Sequence, residues 1–337
     1  MTAVGGTPRV SIVLPTFNRA RFLPGAFASI GAQTYQDWEL IVVDDGSNDD
    51  TRTVIDRARS AIARHVKYIR QDNGGPAAAR NNGIAHAAGD LVAFFDSDDL
   101  WNPEFLETCV AALDDNPDVD WVFAACRILD LDTGEEVSAS TFREDGEPRP
   151  FLSLPASRRG QVMVLNDPRT LDVVLSTGLY AGFQNSVIRA TTLRRWPLPI
   201  VPVRVGEDTL TAFRAIATGA TLAYVDRALV DYRAHQGGVT DGARTGKPEA
   251  LIAQAQEYAR GYDFVLSELA GNRRAMRLIE RAAAHRKFWI EGYLGLWALG
   301  RRREAFAAYR KALALSPLDW KMWKTWAACV VRTASGR

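Results

Sequence analysis

The chain has 337 residues, 47% hydrophobic and 24% charged, a composition that fits a globular protein with a sizeable core, as one large domain plus a smaller appendage. A net charge of +1 gives no overall field to attract nucleic acid. Three widely spaced cysteines, Cys109, Cys126 and Cys329, form no CxxC pair, which argues against a zinc site or disulfide framework and for a reducing compartment.

In chain order, residues 10–14 form an apolar run ended by Pro15 and read as a buried strand, followed by a helix near 24–33. Residues 39–43 are a second buried strand ending in two aspartates, and 51–63 a helix with a cap offered by 47–50. Strand 66–70, Ala-rich helix 77–87 and strand 91–95 continue the alternation. Beyond Asp99, 104–113 reads as a helix and 121–129 as a longer strand. Residues 130–166, rich in Gly, Pro, Arg and acids, read as a long loop or irregular hairpin. Short strands are expected at 186–189, 221–225 and 228–233, and from Pro248 onward the chain is nearly all helix formers. Buried strands alternating with helices predict an α/β fold with a mostly parallel central sheet. The expected domains are a catalytic one over 1–245, divided into a nucleotide-binding half (9–101) and an acceptor-binding half (102–245), and a helical region over 246–337. The opening MTAVGGTPRV lacks a signal-peptide pattern and no apolar run is long enough to span a bilayer, so the expected location is cytoplasmic.

Three polar clusters fall just after expected strand ends: Thr16-Phe17-Asn18-Arg19, Asp44-Asp45-Gly46-Ser47 and Asp96-Ser97-Asp98-Asp99. Open α/β sheets bind ligands beyond the carboxyl ends of their strands. So many carboxylates at one edge are costly unless a cation or hydrogen-bond donors compensate them. Oxygen ligands on Asp96 and Asp98 favour Mg²⁺ or Mn²⁺, although the same residues could simply turn the chain into the next helix. Asp44-Asp45-Gly46 is also ordinary turn chemistry; its functional reading is a carboxylate accepting from a nucleobase or ribose. Asn73-Gly74-Gly75-Pro76 allows close backbone approach to a flat ligand and starts a helix carrying Arg80.

In order and spacing, VSIVLPTFNRARFL, ELIVVDDGSNDDT and NGGPAAARNNGIAHAAGDLVAFFDSDD resemble the family 2 glycosyltransferases over nearly all of residues 9–101. Gly206-Glu207-Asp208 resembles that family's Glu-Asp motif, and Tyr232-Arg233-Ala234-His235 its tyrosine-arginine-x-histidine stretch, with Gly238 where a serine is often seen.

The resemblance implies a Rossmann-like, GT-A type nucleotide-diphospho-sugar transferase fold and an inverting, metal-dependent transfer of a sugar from a nucleotide diphosphate to an acceptor hydroxyl. Asp208 would be the general base; Pro15, Thr16, Asn18, Asp44, Asp45, Asn73, Gly74, Arg80, Asp96 and Ser97 would line the nucleotide site. Asp98, with Asp96 and His235, would hold Mn²⁺ or Mg²⁺, and Glu207, Asp99 and Trp101 would face the acceptor. A UDP-sugar donor and a glycan or lipid-linked acceptor are the expected partners, in cell-surface polysaccharide or glycolipid synthesis. The competing reading is a non-catalytic nucleotide-sugar-binding scaffold that recruits partners through its helical tail; it keeps Asp45 and Asp98 but has no need of Asp208.

Residues 291–317 resemble one tetratricopeptide-like hairpin, too short for a solenoid. In 318–332, Trp323, Trp326, Ala327 and Val330 share a helical stripe beside Lys321, Lys324 and Arg332. That pattern suits either core packing or peripheral membrane contact through residues 318–337.

Overall fold

A computed structural model describes residues 6–61, 66–235, 246–269 and 271–335. Contacts divide it into two units, one of residues 1–204 and 211–235 and one of residues 205–210 and 236–337.

The first unit is built on one sheet whose main path, by residue, runs 157–159, 162–165, 222–234, 121–130, 186–189, 91–94, 10–16, 38–44 and 66–70. Strands β1 (Val10–Thr16), β2 (Trp38–Asp44), β3 (Val66–Arg70) and β4 (Leu91–Phe94) form a parallel block, β1 between β2 and β4. Connecting them are α1 (Leu23–Gly31), α2 (Thr51–Ala61) and α3 (Pro76–Ala85). Strand β1 runs two residues past its expected end. Thr16 O bonds the β2 side of β1 and Val13 O the β4 side, so Pro15, in phase with Val13, turns its nitrogen towards β4. Since β4 ends at Phe94, no ladder bond is lost there.

Antiparallel β12 (Ser186–Arg189) joins this block to β6 (Trp121–Asp130), which pairs in parallel with β13 (Leu222–Ala234). The two strands expected near 221–233 are therefore one, broken in register between Val225 and Val230. The exposed Asp226 and Arg227 at that bulge carry ion pairs to Arg143 and Glu104. Short β5 (Leu100–Trp101) adds to β13, and α4 (Phe105–Asp115) leads on to β6. The 130–166 stretch, expected to be a loop or irregular hairpin, is a set of short strands. Among them β7 (Glu136–Ser138) pairs with β6, β8 (Arg143–Glu144) with β9 (Glu147–Pro148), and the β10 (Ser157–Arg159)–β11 (Val162–Leu165) hairpin joins β13. Helices α5 (Thr170–Thr177) and α6 (Ala190–Leu193) flank β12 in sequence.

Ile12, Leu14, Leu40, Val42, Phe95, Phe105, Val122 and Val225 are fully buried in this unit's core, and burial of each such side chain contributes about 1.5–3 kcal/mol. The approach to β4 leaves no spare volume: a Cβ on Gly89 would lie 2.8 Å from Ser11 N and 2.9 Å from Arg9 O, both backbone atoms. Gly89→Ala is therefore expected to cost about 2–3 kcal/mol and lower the thermal midpoint by several degrees. An unchanged midpoint by calorimetry would show that the β1–β4 approach yields freely.

Helix α7 (Glu207–Ala217) begins in the second unit and ends in the first. The second unit continues with α8 (Pro248–Glu268), α9 (Arg273–Arg286), a π-helical segment (Lys287–Trp297), α10 (Arg302–Leu315) and α11 (Trp320–Ala334). The hairpin resemblance meets a helix that begins earlier, because α9 runs straight into the π-helical segment. Phe288, Leu296, Ala305, Tyr309, Ala312, Met322 and Cys329 form its core. On α11 the core face is Met322 and Cys329, with Trp326 partly buried, whereas Trp323 and Val330 of the expected stripe are exposed. All three cysteines are buried free thiols. Among the described residues no helix is long and apolar enough to cross a membrane.

Candidate active site

The carboxyl ends of β1, β2, β3 and β4 share one edge of the parallel block. The loops after β1 and β2 are laced together: Asn18 N donates to Ser47 Oγ at 2.9 Å and Asn48 N to Asn18 Oδ1 at 2.9 Å. Asn18 holds a left-handed backbone, φ 54°. Gly46, φ 85°, closes the β2 loop, where a side chain would meet Asn73 N at 3.2 Å and Gln71 O at 3.3 Å.

Asp44 is fully buried and spent within the protein. Its Oδ2 accepts from Tyr68 Oη at 2.7 Å and faces Arg70 at 3.4 Å, and Oδ1 accepts from Ser47 N at 2.8 Å. Burial, then the bond to Asp44, pushes the Tyr68 phenol up. Asp45, 4% exposed, anchors the glycine loop: Oδ1 accepts from Gln71 Nε2 at 2.7 Å and Gly74 N at 2.9 Å, and Oδ2 from Gly75 N at 2.8 Å. Asn73 Nδ2 donates to Asp45 O at 3.1 Å. Three acceptor positions are filled, which leaves one for a ligand. Pro15 is half-buried beside Thr16, whose buried Oγ1 has no partner among the described residues.

At the β4 end, the buried Arg80 of α3 holds Asp96 Oδ1 at 2.6 Å and lies over the Phe183 ring. Ser97 is buried, and the turn closes through Asp99 N to Asp96 O at 3.0 Å. Asp98, a quarter exposed, meets His235 Nε2 at 3.1 Å and Arg19 at 3.6 Å through Oδ2. Arg233 donates its Nε to Asp98 O and its backbone N to Asp99 Oδ1. Burial, reinforced by the Asp98 and Asp96 charges, raises the Asp99 carboxyl well above the usual range. Asp99 Oδ2 and Arg233 Nη2 are buried with no hydrogen-bond partner among the described residues. The crowded carboxylates are thus balanced by Arg19, Arg70, Arg80 and Arg233.

The expected metal set is brought together only in part. Asp98 and His235 are adjacent, Asp96 is turned to Arg80, and among the described residues no group of three or more His, Cys, Asp or Glu converges. A carboxylate and an imidazole side by side nevertheless form a donor pair that suits Mn²⁺, with solvent or a diphosphate free to complete its shell. Trp101 is 4% exposed, packed between Phe95 and Phe105, with Nε1 donating to Gln184 O at 2.7 Å. Gly238 lies outside the described residues.

In the second unit, Glu207 and Asp208 occupy the first turn of α7, where acids are favoured. Asp208 Oδ1 accepts from Thr209 N at 2.6 Å. Gly206 before them has φ 78°, and a Cβ there would strike the Tyr258 ring at 2.4 Å, so only glycine fits. The Tyr258 phenol is pushed up to about 12 by burial, aided by the Asp208 charge.

Sequence reasoning missed Tyr68 and Gln71. Gln71 directly follows β3, so the strand-edge argument used for β1, β2 and β4 would have reached it, whereas Tyr68 sits in mid-strand and carries no such signal.

The parallel block, the acidic strand ends and the arginines around them define a GT-A type nucleotide-diphospho-sugar transferase fold. Residues 11–164 match the model of Glycosyl transferase family 2, and the chain therefore carries a family 2 glycosyltransferase domain. An uncharacterized glycosyltransferase of Nostoc sp. is 41% identical over 102 residues, 30% of this chain and 32% of that protein. The GalNAc(5)-diNAcBac-PP-undecaprenol beta-1,3-glucosyltransferase of Campylobacter jejuni is 35% identical over 143 residues, 42% of this chain and 45% of that one. The chain thus spans less than half the length of either relative. Among solved structures, S. aureus TarS 1-349 with UDP-GlcNAc superposes at TM-score 0.56 and 18% identity, covering 98% of this chain and 92% of that one. The mannosyltransferase PcManGT of Pyrobaculum calidifontis, with GDP-Man and Mn²⁺, superposes at TM-score 0.50 and 19% identity, covering 97% and 87%. At these identities the structural likeness speaks to fold alone.

Proposed function

We propose that this chain is an inverting glycosyltransferase. It moves a sugar from a nucleotide diphosphate, UDP foremost, to a hydroxyl of a glycan or lipid-linked acceptor in cell-surface polysaccharide or glycolipid synthesis. The observation that carries the reading is the edge at the ends of β1–β4, where Asp45 organises the Gly74-Gly75 loop and Asp98 sits among Arg19, Arg233 and His235. The Campylobacter relative's lipid-linked sugar, the UDP-GlcNAc bound to TarS and the Mn²⁺ in PcManGT support it.

In this reading residues 9–101 bind the donor and 102–245 the acceptor, with the helical region following. Thr16, Asn18, Asp45, Asn73 and Gly74 surround the nucleoside, while Asp44 fixes the β2 loop from behind. Asp98 and His235 would hold a Mn²⁺ or Mg²⁺ ion, which when bound supplies Lewis-acid neutralisation of the diphosphate. Arg19 and Arg233 add fixed positive charge beside the same oxygens. Arg80 holds Asp96, and through it the turn bearing Asp98. Asp208 takes the proton of the acceptor hydroxyl as it attacks the anomeric carbon; the C–O bond to the diphosphate breaks on the opposite face, inverting the centre. Glu207, Asp99 and Trp101 shape the acceptor side. The chain works in the cytoplasm, with peripheral contact at the inner face of the cell membrane through residues 318–337.

Donor binding tests the reading directly. UDP-, GDP- and dTDP-sugars with Mn²⁺ are each compared by thermal shift, and a UDP-sugar is expected to raise the midpoint by several degrees. Asp45→Ala is expected to weaken that binding at least tenfold, because it frees the glycine loop and removes the base contact together. If no nucleotide sugar shifts the parent protein, the donor reading is wrong.

A further inference from the structure

Charge is distributed unevenly along this nearly neutral chain. Residues 273–337 carry 15 Lys and Arg against 4 Asp and Glu, whereas the whole chain carries 41 against 40. The same region displays large apolar side chains to solvent: Leu318 is 95% exposed, Val331 66%, Trp320 64% and Trp323 45%.

Helical geometry arranges these groups in order. Along α11, Trp320, Trp323, Ala327, Val330, Val331 and Ala334 fall on one stripe, well away from the Met322–Cys329 face that packs in the core. Lys321, Lys324 and Arg332 run along one side of the stripe and are exposed. On its other side lies a groove of about 700 Å³ between α10 and α11, with Phe306, Trp326 and Val330 as apolar walls and Arg303 and Arg310 at the edge. Trp323 Nε1 is satisfied by Pro317 O at 2.9 Å, which leaves the indole an apolar body facing outward. The helix is thus apolar on two faces, only one of which the protein covers.

We propose that α10 and α11 dock in the plane of an anionic lipid bilayer. The tryptophan stripe enters the headgroup–acyl boundary, and the flanking Lys and Arg meet lipid phosphates. Nucleic acid would answer the charge but leave Leu318, Trp320 and Val331 in water. A second copy would bring like charge against like charge. This inference deepens the peripheral contact named above yet requires no sugar transfer, so it stands or falls apart from the donor reading.

The test is co-sedimentation of the full chain with vesicles of phosphatidylcholine alone, and of phosphatidylcholine and phosphatidylglycerol in equal amounts, without donor or acceptor. Binding is expected on the anionic vesicles and at least tenfold weaker on the neutral ones. Lys321→Glu with Lys324→Glu is expected to weaken anionic-vesicle binding at least tenfold. Leu318→Ser with Trp320→Ser and Val331→Ser is expected to do the same while circular dichroism and the melting midpoint stay unchanged, since all three side chains are exposed. Equal binding to both vesicle types, no binding to either, or full binding by the serine variant would overturn the proposal. So would a concentration-dependent dimer that the serine variant abolishes, or selective capture of the parent chain by RNA in a gel-shift assay with no vesicle binding.

Discussion

Asp98→Ala is expected to lower turnover about a thousandfold or more while leaving the protein folded. The carboxylate is where several groups converge: His235 Nε2 at 3.1 Å, Arg19 at 3.6 Å and Arg233 on its own carbonyl. Each is positioned to act on an anion or a cation, and none packs an apolar core through Asp98. A thousandfold corresponds to about 4 kcal/mol of transition-state stabilisation, within the range of a lost electrostatic contact at a charge that develops during reaction. The structural cost is far smaller, because Asp98 is a quarter exposed. Initial rates at saturating donor and Mn²⁺, with a melting curve for each variant, separate the two effects. Asp98→Asn keeps the shape and is expected to be nearly as damaged. Asp90→Ala, which removes an exposed partner of Arg9, should stay within about twofold of the parent, as surface pairs contribute little. An Asp98→Ala protein within tenfold of parental turnover would take Asp98 out of the diphosphate site.

The parts of this arrangement that could be read from sequence share a physical cause. Strands β1, β2 and β4 announce themselves as apolar runs because both faces of the parallel block are covered, and the acidic clusters after β2 and β4 follow at once. Asp44 and Asp45 are adjacent aspartates that together end the apolar run of residues 39–43, so nothing in the sequence separates them. What separates them is what arrives from β3: Tyr68 and Arg70 take Asp44, and Gln71 with two glycine amides takes Asp45. Long-range pairing also decided β7, β10 and β11, whose three or four residues carry too little periodicity to read and exist through β6 and β13. The bulge in β13 hid in plain view, because charged Asp226 and Arg227 between two apolar runs imitate a turn. The α11 stripe shows the limit of pattern alone. Periodicity found apolar faces, but only packing against Tyr309 of α10 and its neighbours selected Met322 and Cys329 as the inward one.

Asp208→Asn is expected to reduce kcat by about a thousandfold to ten-thousandfold, the span that a positioned general base supplies, and to leave donor affinity within about threefold. The local structure is built to hold this residue still. Gly206 takes a left-handed turn against the Tyr258 ring that no other residue can follow, and Thr209 N holds one carboxylate oxygen from the first turn of α7. Tyr258 stays a neutral phenol at working pH, since burial pushes it up to about 12, and so adds no second negative charge. Asparagine keeps the size and the hydrogen bond to Thr209 but cannot accept a proton, so the helix start survives with only a few tenths of a kcal/mol lost from its dipole. Separate measurements of kcat and of donor Kd by calorimetry give the split that a merely structural role would not produce. A fall in both together would mark Asp208 as a positioning residue. Turnover within fivefold of the parent would remove it as the base, and parent protein that binds donor but transfers nothing to any hydroxyl acceptor would favour the scaffold reading, which has no use for a carboxylate at this turn.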